Sequence, residues 1–242
     1  ILFAIASDPE APYSSVSLIQ KFDKEKDNAS IKAFKKGITF DLYNGMLNNR
    51  LDELTKSAEP PFLFVRSRKG SWVQSKQMYT LSAFVQTNEI PKGLAALMTE
   101  VQRIQRHGFT QSELNREKTT FLRKLEKQYN ERDKTESETF KWQYKEHFLE
   151  GSPAPGIEYI YTKAQELLPD IKLYAVNHLS NELISDRNRV ITASSPENEN
   201  VIIPTDTDLR NVFNKALFSD IAPYVDAVSD APLVEDLLPP GK

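Results

Sequence analysis

IKAFKKGITFDLYNGMLNNRLDEL, residues 31–54, carries a long apolar stripe. Apolar side chains recur every three to five positions, at Ile31, Phe34, Ile38, Leu42, Met46, Leu51 and Leu54. This spacing predicts one amphipathic helix of roughly 25 residues. Gly37 and Gly45 interrupt it at a cost of about 1 kcal/mol each relative to alanine. Glu59-Pro60-Pro61 ends it, because a residue before proline is kept out of the helical conformation.

Segments typical of strands lie on both sides of this helix. Residues 2–6 are apolar, Asp8-Pro9-Glu10-Ala11-Pro12 breaks the run, and residues 15–19 resume with alternation. This pattern predicts two antiparallel strands joined by a proline-containing turn. After the helix, Phe62–Val65 and Trp72–Val73 predict a third strand bent near Gly70, and Met78–Val85 predicts a fourth.

The rest of the chain is mostly helical in pattern. Pro91 suits the first turn of a helix that Gly108 would end, and Thr110 with Glu113 forms a capping box that opens the next. Further helices are expected near 140–148, 157–168, 173–184 and 205–218, with a fifth strand at 189–193. Clustered strands and clustered helices predict an α+β, two-layer domain with one antiparallel-rich sheet backed by several helices.

Composition excludes several classes of protein. The chain has 242 residues, with 31 basic and 34 acidic side chains and a net charge of −3, so no bulk field favours nucleic acid or anionic membrane. The absence of cysteine excludes disulfides and thiolate metal sites. No apolar run approaches the roughly 18 residues of a membrane helix, and the start lacks the pattern of a signal peptide. Both ends suggest a segment cut from a longer protein.

No catalytic or metal-binding residue is predicted within this chain. His107, His147 and His178 are its only histidines, and no two have the i, i+4 spacing that directs two imidazoles at one zinc ion. A nucleophile elbow and a glycine-rich phosphate loop are both missing from the sequence. The charged stretch 116–134 mixes both signs and predicts a solvated helix face. The aromatic residues of 140–148 predict core or interdomain packing.

Four segments, taken in order, carry a family resemblance. They are residues 42–54 followed by Pro60-Pro61-Phe62, residues 93–114, residues 129–137 and residues 147–159. With these segments the chain resembles the second, non-catalytic domain of the pitrilysin/insulinase (M16) zinc peptidases, in particular the bacterial PqqL-like branch. The resemblance covers most of residues 1–220. It implies a LuxS/MPP-like metallohydrolase fold for them and an interdomain linker at 221–242.

The resemblance also implies a setting for this domain. Four similar domains would pair into two halves that close around a peptide chamber, with zinc held by an H-x-x-E-H motif in the first domain. This sequence contains no H-x-x-E-H. No cofactor is therefore expected in this chain and zinc only in its parent, whose other domains and peptide substrates would be its partners. A bacterial periplasm or cell-envelope location is suggested in the same way.

Substrate contact is expected at one strand. In some relatives an edge strand of the second domain pairs with the substrate's N-terminal residues, and the matching residues here are Gln77, Met78, Tyr79, Thr80 and Leu81. An edge strand could do this because its unpaired N–H and C=O groups accept another strand. The alternative is that these residues form an ordinary strand of the sheet. Two other functions stay open: a domain of a non-catalytic structural subunit, such as the core subunits of respiratory complexes, or an independent peptide-binding module.

Overall fold

The computed structural model describes residues 1–25, 27–73, 75–185 and 187–226, which form five strands and seven α-helices. The strands are β1 (Leu2–Asp8), β2 (Ser14–Asp23), β3 (Phe64–Val73), β4 (Lys76–Val85) and β5 (Arg189–Pro196). The helices are α1 (Ile31–Leu54), α2 (Ile90–His107), α3 (Gln111–Asn130), α4 (Ser137–Glu150), α5 (Ile157–Leu167), α6 (Leu173–Leu183) and α7 (Asp206–Phe218). The predicted fold class, an α+β domain with one sheet backed by helices, is confirmed. None of the helices in these ranges is long and apolar enough to span a membrane.

The strands form one sheet in the order β1-β5-β2-β4-β3. Only the pair of β1 and β5 is parallel, so the sheet is rich in antiparallel pairs as expected. The predicted pairing of the first two strands is wrong, because β5 lies between β1 and β2. Residues 9–13 can make this connection, since two strand spacings amount to only about 10 Å. Nothing in the local pattern indicated that β5, which begins at Arg189, would enter between them.

Helices cover one face of the sheet. Side chains that alternate along the three central strands point to this face and are fully buried, among them Val16, Leu18, Tyr79, Leu81 and Ile191. Helix α2 packs against β2 and β4, and α1 packs against β3. The hydrophobic core therefore lies between one sheet face and one helix layer.

Helix α2 lies close against the sheet at Gly93. A Cβ atom at this position would lie 2.5 Å from Cγ1 of Val85 and 3.3 Å from Cγ1 of Val16. Since real Cβ contacts are longer than this, only glycine allows the observed distance between helix and sheet. Gly37 in α1 has no such neighbour within 4 Å and is exposed.

These two glycines give opposite predictions for substitution by alanine. We expect Gly93→Ala to destabilise the fold by about 1–3 kcal/mol, because the methyl group overpacks the interface between α2 and the sheet. We expect the control, Gly37→Ala, to stabilise it by roughly 0.5–1 kcal/mol through helix propensity alone. Urea denaturation followed by circular dichroism measures both values. An unchanged midpoint for Gly93→Ala would show that the close packing at this site is not present in solution.

A buried ion cluster joins α1, α2 and α3. Arg50 of α1 is only 2% exposed, and its Nε and Nη2 donate to the two carboxylate oxygens of Glu113 at 2.6 and 2.9 Å. Its Nη1 donates to Oε1 of Glu100 at 3.1 Å, and Nη2 also donates to the carbonyl oxygen of Gly108 at 3.1 Å. Burial alone would lower the pKa of Arg50, but the bonds and charges of the two glutamates outweigh it and leave the pKa raised. Arg50 therefore stays charged inside the helix layer.

Two aromatic rings enclose the same guanidinium group. Its central carbon lies 4.7 Å from the ring centre of Phe109 and 4.2 Å from that of Tyr224. The hydroxyl of Tyr224 donates to Glu53, and desolvation together with this bond raises the pKa of Tyr224 to about 12, so the phenol stays protonated at neutral pH. Residues 221–226, the first six of the predicted linker, thus pack on the domain. The rest of that predicted linker, 227–242, lies outside the described residues.

Breaking the cluster should be costly. We expect Arg50→Met to destabilise the fold by about 3–5 kcal/mol, because it leaves the buried carboxylates of Glu100 and Glu113 without their charge partner. As a control, Arg123→Met changes an exposed arginine of α3 and should shift stability by less than about 0.5 kcal/mol. Urea unfolding of the two variants and the parent chain gives these differences. Equal effects of the two substitutions would contradict the assigned role of Arg50.

Candidate functional site

The second face of the sheet is the main candidate for a functional surface. We call it the open face, because its side chains are half-buried or exposed, Thr80 excepted. It consists of Leu2, Ala4, Ala6, Val190, Thr192, Ser194, Ser15, Ser17, Ile19, Lys21, Met78, Thr80, Ser82, Phe84, Phe64, Arg66 and Arg68. An uncovered face of this width is suited to contact with another chain or domain.

Small hydroxyl side chains form the centre of the open face. The strand register aligns Thr192, Ser17 and Ser82 in one row that ends at Arg66 on β3. Within this row the hydroxyl oxygens of Ser17 and Ser82 are 2.8 Å apart and hydrogen-bonded. Because these side chains are short and polar, the surface at the centre of the face lies close to the backbone of the sheet. An extended chain laid on this face would therefore come close to the sheet.

Aromatic side chains mark both ends of the open face. At one end Phe84 lies 6.0 Å from Tyr13 and 6.2 Å from Phe64, measured between ring centres, and all three rings are exposed. At the other end the ammonium group of Lys21 lies 5.0 Å from the ring centre of Trp72. Exposed rings of this kind provide contact area at little cost in side-chain entropy.

The outer edge of β3 is free, since among the described residues no strand pairs with it. Its side chains alternate: Val65 and Ser67 are buried towards the helices, and Phe64, Arg66 and Arg68 are exposed on the open face. Free strand edges offer unpaired N–H and C=O groups to another extended chain. The predicted third strand rests on Phe62–Val65 and Trp72–Val73 with a bend near Gly70, whereas the alternation that identifies its exposed side lies between these two segments.

The expectation that Gln77–Leu81 lies on an edge strand is wrong. These residues belong to β4, which pairs with β2 on one side and with β3 on the other. Met78, for example, has Lys21 and Gly70 as its partners. With both of its sides occupied, β4 cannot accept a further strand in this fold. The cause is the order of strands, which places β3 outside β4.

The side chains of these five residues also do not form one site. Met78 and Thr80 lie on the open face, while Tyr79 and Leu81 are buried in the core. Tyr79 packs edge-on against Tyr43, and burial raises its pKa well above the ordinary value, so it stays neutral. Gln77 instead lines a cleft beneath α4. Substrate contact by this set of residues remains a prediction, without the edge pairing that supported it.

The cleft that Gln77 lines has a volume of about 1530 Å³ and lies between α1, α3, α4 and α6. Its charged walls are largely paired: Lys36 lies 3.3 Å from Glu25 and 3.4 Å from Glu182, and Lys69 lies 3.2 Å from Glu25. Burial raises the pKa of Asp41 on the same wall. These contacts are lysine–glutamate ion pairs, and they form neither a pair of adjacent carboxylates nor a nucleophile beside a base. They therefore do not indicate a catalytic site in the described part of the cleft.

Helix α4 crosses this cleft without a buried residue. The prediction of core packing for the aromatic residues of 140–148 is therefore wrong within this chain: Phe140, Trp142, Tyr144 and Phe148 are all exposed, Phe148 by 87%. Phe140, Tyr144 and Phe148 follow one another at intervals of four and share one side of α4, and this side is largely exposed to solvent. Interdomain packing by these rings remains a prediction.

The three histidines do not fit a zinc site. His107 lies on α2 and its Nε2 is 2.7 Å from the carbonyl oxygen of Ile221, whereas His147 on α4 bonds to the carbonyl oxygen of Ser152. His178 on α6 lies 3.4 Å from Glu182. Within the described part of the chain, no three histidine, aspartate or glutamate side chains are grouped so that they could hold a metal ion.

Sequence comparison finds one similar curated relative, and no family model matches the chain. The relative is "Zinc protease PQQL-like" from Arabidopsis thaliana, which is 25% identical over 213 residues, or 88% of this chain. These residues make up only 19% of the relative's own length. The chain therefore corresponds to a small part of the relative.

Structure comparison finds the same kind of protein. The periplasmic protease PqqL from Escherichia coli matches 97% of this chain with a TM-score of 0.84 at 17% identity, and the match spans 26% of that protease. A structure of its first half matches with a TM-score of 0.83, and the chain covers 48% of it. A peptidase M16 inactive domain from Pseudomonas fluorescens matches 84% of the chain with a TM-score of 0.57 at 14% identity. The chain thus has the fold of the pitrilysin/insulinase (M16) peptidases, and it is similar in sequence to a PQQL-like zinc protease of which it spans about a fifth.

Proposed function

We propose that this chain is a non-catalytic domain of a larger zinc peptidase of the PqqL type, in which it forms part of the wall of a peptide-binding chamber. The open face of the sheet with its free β3 edge is the observation that carries this proposal. The lengths of the matched structures also support the proposal. The chain covers about a quarter of the periplasmic protease and about half of the structure that contains the first half of that protease.

Strand addition at β3 is the proposed mode of peptide binding. An extended peptide beside Phe64–Val73 would bond through its main chain, which gives affinity with little dependence on sequence. The exposed rings of Phe64 and Phe84 offer apolar contact to the peptide's side chains at one end of this edge. This assigns to β3 the role that the family resemblance implies for Gln77–Leu81.

Zinc and the groups that activate water belong, in this proposal, to another domain of the parent polypeptide. The donors of the described ranges do not fit a zinc site, and no catalytic step is assigned to any of these residues. The partners of the domain are the other domains of the same protein and its peptide substrates. A location in the bacterial periplasm or envelope is proposed only by similarity to the periplasmic protease.

The first test concerns catalysis. We expect fluorogenic peptides to stay intact with the purified chain plus zinc, and to be cleaved by the complete parent protein in a reaction that a chelator stops. Catalysis would then require residues outside this chain. Zinc-dependent cleavage by the chain alone would contradict the proposal.

The parent's own sequence provides a second check on the same point. An H-x-x-E-H motif upstream of residue 1 would support a peptidase, because its two histidines and glutamate supply zinc ligands and a base. A parent without this motif would favour the other candidate, a structural subunit that shares the fold.

The second test concerns the peptide-binding edge. In an NMR titration with extended peptides, we expect the largest amide shifts in Phe64–Val73 and small shifts in Leu2–Asp8, the strand at the opposite edge. Amides of β4 should shift less than those of β3, because both of its sides are already bonded. Shifts centred on the α4 cleft, with β3 unchanged, would refute strand addition at this edge.

A further inference from the structure

Two arginines on the free edge have no partner among the described residues. Arg66 and Arg68 are exposed on the open face, and their guanidinium groups form no hydrogen bond or ion pair within this part of the chain. Most other charged residues of β2, β3 and β4 are engaged: Asp23 pairs with Lys76, Lys69 with Glu25, and Lys21 lies over Trp72. The outer part of the open face is therefore positively charged, although the whole chain carries a net charge of −3.

The spacing of these arginines matches the repeat of a strand. Side chains two residues apart point to the same face, so Phe64, Arg66 and Arg68 form one line along β3. On β4, Ser82 lies opposite Arg66 and Thr80 lies opposite Arg68, and both of these side chains are short. A strand added outside β3 would place every second side chain about 5 Å from this line, within reach of both guanidinium groups.

We propose that the β3 edge selects extended peptide segments that carry acidic residues two positions apart. This inference rests on the proposed function and names its substrate class. The two carboxylates would lie opposite Arg66 and Arg68 on the open face. Arginine suits this role because its planar fork binds a carboxylate through two hydrogen bonds.

The two arginines could instead serve only to prevent aggregation, and this role predicts a different result. Charged residues on a free edge also discourage the pairing of two copies of the same chain, and this role requires no preference for acidic partners. A comparison of peptides that differ only in the position of their acids separates the two roles.

The experiment uses three fluorescein-labelled peptides and the 242-residue chain. The first, Thr-Val-Glu-Thr-Glu-Val-Thr, reads the same in both directions and places both glutamates on one face of a strand. The second has glutamine for glutamate, and the third, Thr-Val-Glu-Glu-Thr-Val-Thr, keeps the composition but divides the glutamates between two faces. At about 50 mM salt we expect the first to bind about fivefold more tightly than the others by fluorescence anisotropy.

Variants of the chain test whether the two arginines cause this preference. The double variant Arg66→Gln with Arg68→Gln should bind all three peptides about equally. The control, Arg123→Gln with Lys127→Gln, removes the same charge from the exposed surface of α3 and should retain the fivefold preference. Because screening weakens exposed ion pairs, the preference should also shrink in about 0.5 M salt.

Two negative results have distinct meanings. Equal binding of the three peptides by the unmodified chain would overturn the acidic preference while leaving strand addition intact. Failure of all three peptides to bind would overturn the preference together with the proposed peptide-binding edge. A preference retained by the arginine double variant would also overturn the assignment, because the selectivity would then come from another surface.

Discussion

The charge of Arg50, buried inside the helix layer, is the constraint on which the arrangement of this domain depends. A buried cation is stable only if its bonds are satisfied, and here Glu113, Glu100 and the carbonyl oxygen of Gly108 satisfy them from two helices and the turn between them. Apolar contacts would tolerate small rotations of α1 against α2 and α3, whereas this set of directed bonds accepts little change. Because desolvation offsets much of the attraction in a buried ion cluster, the cluster adds little net stability, whereas the loss of one partner is costly.

The same cluster connects the domain to the segment after α7. Tyr224 covers one side of the Arg50 guanidinium group, and Arg116 forms an ion pair with Asp226 at 2.8 Å. The start of the predicted linker is thus held against α1 and α3 by contacts with a charged core group. In a multidomain protein, such an attachment sets the direction in which the chain leaves the domain.

Because α1 and α2 pack against a single face of the sheet, its other face and the β3 edge are not covered by another element of residues 1–226 as far as these are described. This one-sided arrangement connects the fold with the proposed function, since a chamber wall needs a broad surface that is not used for the domain's own core. The composition of the open face fits this use: its centre is small and polar, its ends are aromatic and its free edge is basic. The cleft under α4 has a volume of about 1530 Å³, but its charges are mostly neutralised by one another.

The sequence by itself determined the elements. The apolar stripe of 31–54, the capping box of Thr110 and Glu113, and the alternation of Met78–Val85 each follow from periodicity or local hydrogen bonding, and they match the observed helices and strand closely. The sequence also contained a sign of the ion cluster, since Arg50 continues the buried positions Leu42 and Met46 at intervals of four. The family resemblance likewise came from local segments, and the fold comparison agrees with it.

Only the tertiary structure decided which strands are neighbours, and therefore that β1 and β3 are the edge strands among the described residues. The insertion of β5 between β1 and β2, and the position of β3 outside β4, depend on contacts between residues far apart in the chain. The alternation of apolar and polar residues along a strand shows that one of its faces is buried. In a sheet covered on one face, central and edge strands have the same alternation, so it does not show which strands lie at the edges. For this reason the sequence could suggest a peptide-binding strand, and only the order of the sheet could place its free edge at Phe64–Val73.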